Sequence, residues 1–200
     1  MALECLPGRY PAPRELDGLA QYFTWSGTVK ERADAVLAEI FGDANAKYVA
    51  VQWRNEFAEM SRPCGGFSAV QCEVLLDAQR AKEPDFNSQR MCSPGTDQMR
   101  EMLLAAMKTA GTSNLFLASD VTLGKMKGGL GDMFAEFGAK IQPGGLGRGG
   151  LFRPQVDLAV LSGATLMIGH CPSSFTNVAT RLRASQNAPT GFWGFLDSVK

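Results

Sequence analysis

The chain has 200 residues, 45% of them apolar and 20% charged, the usual balance of a globular domain with one good core. Twenty basic and twenty acidic side chains cancel, which removes the cationic footprint expected of a nucleic-acid-binding protein. No stretch approaches the ~18 consecutive apolar residues of a membrane span, and the first residues, MALECLPGRYP, lack the basic and apolar regions of a secretory leader.

Residues 1–15 carry Pro7, Pro11 and Pro13 and no apolar period, so they read as an extended lead-in to one domain over 16–200. Val29, Ala33, Val36, Leu37 and Ile40 mark a helix within Thr28–Ile40, and the run Lys47 to Trp53 follows as the first strand. Through Met91 the pattern is irregular, apart from a short helix over Ala69–Ala81. Asp97–Ala110 is the clearest helix: Met99, Met102, Leu103, Ala106, Met107 and Ala110 share one face, with Thr96 and Gly111 as its punctuation. That methionine stripe is core packing rather than a sulfur site. Asn114–Ser119 is a second strand, Met126–Phe137 a glycine-weakened helix and Ala139–Gln142 a short third strand. Pro143–Pro154 is rich in glycine but has neither the Lys-Ser/Thr of a P-loop nor a strand-to-helix setting, so it reads as a surface loop. A helix over Gln155–Ser162, a strand over Thr165–Gly169, a helix starting near Ser173 or Ser174, and an aromatic stretch over Thr190–Leu196 complete the chain.

Alternating strands and helices predict an α/β fold, a mostly parallel sheet flanked by helices in the Rossmann manner. Ligands of such sheets bind at the carboxyl ends of the strands. Arg54, Asp120 and the turn His170-Cys171-Pro172-Ser173 each follow a strand and therefore share that rim. The turn is the most informative stretch. A strand, a small polar turn and a helix start leave free backbone N–H groups beside the hydroxyls of Ser173, Ser174 and Thr176, a combination suited to a phosphate. Arg181 and Arg183 lie further along the same helix and add positive charge. On residue type alone, Arg54 would be a surface arginine, Asp157 a first-turn helix acid, Asp120 a helix cap, and Arg181 and Arg183 a solvated face. The five cysteines form no zinc pattern, since the sequence has no CxxC and one histidine. They are either scattered thiols or two disulfides with one cysteine to spare.

The segments Pro154 to Ala164 and Ile168 to Thr176 resemble the GDP-fucose protein O-fucosyltransferases, most nearly the type acting on EGF-like repeats. Leu19 to Ser26, Tyr48 to Arg54, Leu117 to Asp120 and Gly191 to Gly194 add to the resemblance, which covers roughly Leu16 to Asp197. It implies the second, donor-binding lobe of a two-lobed GT-B-like glycosyltransferase, catalysing inverting transfer of fucose to a Ser or Thr hydroxyl with no obligatory metal. Arg54 would be the essential arginine that neutralises the departing diphosphate. Ser173, Ser174, Phe175 and Thr176 would hold the β-phosphate and nucleotide. Asp157 and Asp120 would face guanine or ribose, and Arg181 and Arg183 would add charge. The resemblance further implies disulfides Cys64–Cys92 and Cys72–Cys171, with Cys5 left over, and the lumen of the endoplasmic reticulum. Two positions depart from the family: Gln52, still placed among the substrate contacts, stands for a histidine, and His170, given no catalytic role, stands for an asparagine. The alternative expectation is a GDP-sugar-binding or interaction module that transfers nothing.

Overall fold

A computed structural model describes residues 22–54, 73–86, 94–126, 128–142, 153–171 and 173–195, with side chains from 76 onward in the second segment. The elements are α1 (Gly27–Phe41), β1 (Val49–Trp53), α2 (Glu73–Lys82), α3 (Thr96–Ala110), β2 (Leu115–Ser119), a 3-10 turn (Leu123–Lys125), α4 (Leu130–Glu136), α5 (Arg153–Gly163), β3 (Leu166–Gly169), α6 (Ser174–Ala184) and β4 (Thr190–Phe192).

Local chemistry sets most of these boundaries. The Ser26 side chain accepts the Val29 N–H at the start of α1, and Gly42, at φ 78°, closes it in the left-handed conformation that glycine tolerates. In α3, Thr96 is the first helical residue rather than the cap, because Gly95 holds the cap position without a side-chain bond. The expected helix over 126–137 shrinks to α4, since Gly128 and Gly129 sit at positive φ and cannot extend it backwards. Within α4, Gly131 packs so closely that a β-carbon there would lie 2.1 Å from the Leu123 carbonyl oxygen. The expected strand over 139–142 is a single parallel bridge between Lys140 and Phe116. Of the glycine-rich loop expected over 143–154, residues 143–152 lie outside the described residues and Arg153 and Pro154 belong to α5 instead; the lead-in and Cys5, Cys64, Cys72 and Cys92 also lie outside the described residues.

All strand pairs are parallel and run in the order β2-β1-β3-β4. Alternation along β1 divides the core. Val49, Val51 and Trp53 face α3 and α4 through Met99, Met102, Leu103, Met133 and Phe134, together with Trp193. Ala50, with Phe116, Ala118 and Met167, faces α1, α5 and α6 through Val36, Leu37, Val156, Val160 and Ala179. From β1 the chain moves outward to β2 and then to Lys140. It then returns to the other side of β1 for β3 and β4. The order therefore reverses between β1 and β3, and in open parallel sheets the crevice beyond such a reversal is where ligands bind.

Candidate functional site

The register that sets Val51 against Ile168 continues to bring the end of β1 level with the turn after β3. Ser119 lies against Trp53 on the other side, so Arg54 and Asp120 leave adjacent strands together. Their side chains meet, Arg54 Nε to Asp120 Oδ2 at 3.3 Å, with the arginine 41% and the aspartate 21% exposed. A pair this wet contributes little stability. Its consequence is orientation: the Asp120 carboxylate holds the guanidinium over the rim.

Beyond β3, Ser173 caps α6 by accepting the Thr176 N–H on its hydroxyl, at 3.5 Å. The first turn of α6 thus opens onto the same rim, with the Ser174 and Phe175 amides at its amino end. Ser174 is exposed, Phe175 is partly buried, and Thr176 is buried. The Thr176 hydroxyl is already engaged, donating to Gln52 Oε1 at 2.8 Å and accepting the His170 N–H at 3.0 Å. Gln52 is itself buried, so this pair stitches β1 to α6 beneath the rim. Gly169 makes the approach possible, since a β-carbon there would lie 2.2 Å from the Thr176 methyl. Of the four residues expected to contact phosphate, Ser174 and Phe175 therefore present side-chain surface at the rim.

On the opposite face of the sheet the rim is aromatic. Trp53 stacks on His170, with ring centroids 4.9 Å apart and planes 11° from parallel. The Arg54 backbone N–H donates to His170 Nδ1 at 3.4 Å, and Trp193 donates its indole N–H to the Gln52 carbonyl at 3.0 Å. Period-two alternation in β1 could have separated Trp53 from Gln52 in this way. Nothing in the sequence pattern announced the stack on His170.

Asp157 lies in the second turn of α5, because the helix starts at Arg153, two residues earlier than expected. Its carboxyl is buried and faces Arg153 Nε at 3.8 Å. Burial pushes its pKa up to about 7, against the pull of the Arg153 guanidinium. Asp157 Oδ1 and, on neighbouring α6, Asn177 Oδ1 are buried acceptors with no hydrogen-bond partner among the described residues. Arg181 is buried in the last turn of α6, about 10 Å along the axis from Ser174 at 1.5 Å per residue.

Arg183 does not serve the rim. It is fully buried and donates to the carbonyls of Leu161, Ser162, Ala164 and Pro189 and to the Thr190 hydroxyl, at 2.6–3.2 Å. Burial lowers its pKa to about 10. Its position corrects the expectation of added phosphate charge. The guanidinium caps the carboxyl end of α5, at the far end of α6. Its spacing from Thr176 and Ala179, seven and four residues, places it on their inward stripe and was the available signal. Cys171, in the turn after β3, is buried. A cavity of about 340 Å³ between α1 and α5, lined by Trp25, Lys30 and Tyr48 among others, lies around the amino end of β1, away from this chemistry.

A family model described as GDP-fucose protein O-fucosyltransferase matches residues 7–186. GDP-fucose protein O-fucosyltransferase 1 of Caenorhabditis elegans is 23% identical over 206 residues, covering 97% of this chain and 49% of the relative. The chain thus spans about half the length of the curated relative it matches. A structure of POFUT1 in complex with GDP-fucose superposes with a TM-score of 0.65 at 22% identity, over 92% of this chain and 51% of that one. POFUT1 in complex with GDP gives 0.64 at 21% identity, over 93% and 53%. These likenesses establish the parallel α/β architecture as the shared fold. The matched range contains Arg54, Asp120, Asp157 and the Ser173-capped turn, and the chain belongs to the GDP-fucose protein O-fucosyltransferase family.

Proposed function

We propose that this chain is the donor-binding part of a protein O-fucosyltransferase, acting in the endoplasmic reticulum lumen on Ser or Thr hydroxyls of EGF-like repeats. One observation carries the reading: in a chain of this family, Arg54 and the Ser173-capped start of α6 follow the two strands that flank the β1/β3 reversal. Transfer with inversion breaks the bond between the fucose anomeric carbon and the β-phosphate oxygen while the acceptor hydroxyl attacks from the opposite face and releases its proton to solvent. Negative charge then builds on the departing GDP. The Arg54 guanidinium and the first amides of α6 meet that charge in place, a role for which the reading calls on no metal. Ser174 and Phe175 line the phosphate approach, with Ser173 and Thr176 shaping it from below. Gln52 acts through Thr176, and Asp120 acts by aiming Arg54. The unpartnered oxygens of Asp157 and Asn177 suit the N–H and O–H donors of guanine or ribose, and Arg181 supports the same side. The reading includes disulfides Cys72–Cys171 and Cys64–Cys92 and a lead-in over residues 1–15.

Thermal unfolding of the 200-residue chain tests the reading. GDP-fucose at a hundredfold excess over its dissociation constant stabilises by about 2.7 kcal/mol. Arg54→Ala abolishes most of that shift while leaving the unliganded melting temperature near the wild-type value. Absence of a shift in the wild-type chain refutes the reading. Because the chain spans about half of its curated relative, a second reading stands beside the first: a module that binds GDP-fucose without transferring it. A folded EGF-like repeat added to the same mixture separates the two, through the presence or absence of fucosylated product.

A further inference from the structure

Three consecutive residues at the end of β1 are each held by the turn after β3 or by the first turn of the helix that follows it. Gln52 accepts the Thr176 hydroxyl, Trp53 lies flat on His170, and Arg54 donates its backbone N–H to His170 Nδ1. His170 has no exposed surface, and its own N–H is fixed on Thr176 Oγ1. The chemistry of the third contact is one-sided. A backbone N–H can only donate, so Nδ1 must offer a lone pair, and a neutral ring then carries its proton on Nε2. The stack on Trp53 sets the plane of the ring and with it the direction of that lone pair. Asp120 meanwhile holds the far end of the Arg54 side chain. The two constraints act on opposite ends of one residue: the carboxylate aims the guanidinium, and the imidazole fixes the backbone from which it extends.

We propose that His170, as its Nε2–H tautomer, is a positioning residue for Arg54, holding the main chain so that the guanidinium meets the diphosphate of the nucleotide. The proposal rests on the role given to Arg54 above. It differs from a packing role for His170 in one testable respect: the lone pair matters only as long as Arg54 has its guanidinium. Phe in place of His170 keeps an aromatic ring for the stack and removes the acceptor. Asn gives up the stack but places an oxygen near the Nδ1 position.

GDP titrated calorimetrically into the full 200-residue chain supplies the test. His170→Phe should weaken GDP binding about tenfold, the scale of one hydrogen bond, and His170→Asn should recover most of that loss. In an Arg54→Ala background, His170→Phe should cost nothing further. An equal loss in both backgrounds, or no loss at all, overturns the proposal. A wild-type chain that fails to bind GDP removes the reading of the site itself. Loss of binding in Arg54→Ala but not in His170→Phe removes this proposal alone. A measurement on the unmutated protein stands independently of how the variants fold. His170 is the sole histidine, so nitrogen-15 labelling of histidine gives one imidazole to observe. At neutral pH its Nδ1 should resonate as the unprotonated nitrogen, and a proton on Nδ1 overturns the assignment.

Discussion

Asp157 is a carboxyl group largely withdrawn from water, with Arg153 at 3.8 Å as its charged neighbour. Its folded pKa of about 7 lies above the unfolded value of about 3.9, so the native state binds this proton more tightly. The sign follows by linkage. The stability that Asp157 contributes is complete below about pH 4, falls by at most about 1.4 kcal/mol per pH unit as pH rises, and is gone above about pH 7. Asp157→Asn should therefore flatten the decline of melting temperature between pH 4 and 7, and an unchanged slope would mean that the carboxyl is ionised throughout. Arg54 and Asp120 could be placed at the rim from the sequence, because each follows a β-type run and a parallel sheet gathers such positions. Their ion pair could not, since it depends on which strands are neighbours. Arg183 shows the converse. Its residue type suggested phosphate, while burial and five acceptors make it structural.

Among elements, α6 is tied down twice, and the two ties differ in kind. At its amino end Thr176 and Ser173 join it to β1 and the turn. At its carboxyl end Arg183 gathers α5 and the approach to β4. Arg183→Leu removes every donor at once and leaves buried carbonyls unpaired, at a cost of about 3 kcal/mol. For a chain of this size that corresponds to a melting temperature lower by roughly 6–12 °C, readable by calorimetry. A shift below about 2 °C would mean that water replaces the guanidinium without penalty. The helices whose apolar spacing was clean, α1 and α3, emerge within one residue of their expected ends. Helix α4 does not, because its start is set by Gly128 and Gly129 turning to positive φ, which spacing alone does not encode. The strand expected at 139–142 contains the right residue types, but only Lys140 finds a partner, the Phe116 position at the sheet edge.

For the whole molecule, the alternation of strands and helices was enough to predict a parallel sheet with its chemistry along one rim. It was not enough to locate the reversal between β1 and β3, because strand order is a property of the crossovers and not of any one segment. That reversal is what selects Arg54 and the His170–Ser173 turn from all the residues that follow strands. It also fixes where the aromatic rings lie. Two of the three tryptophans, Trp53 and Trp193, are fully buried in edge-to-face contact, and Trp53 rests on the imidazole that holds Arg54. The protein therefore carries its own optical probe, one ring away from the main chain of Arg54. Indole emission responds to small shifts of a stacked neighbour, so GDP should change the intrinsic fluorescence of the unlabelled chain, and Trp53→Phe should silence most of that signal while Trp25→Phe leaves it standing.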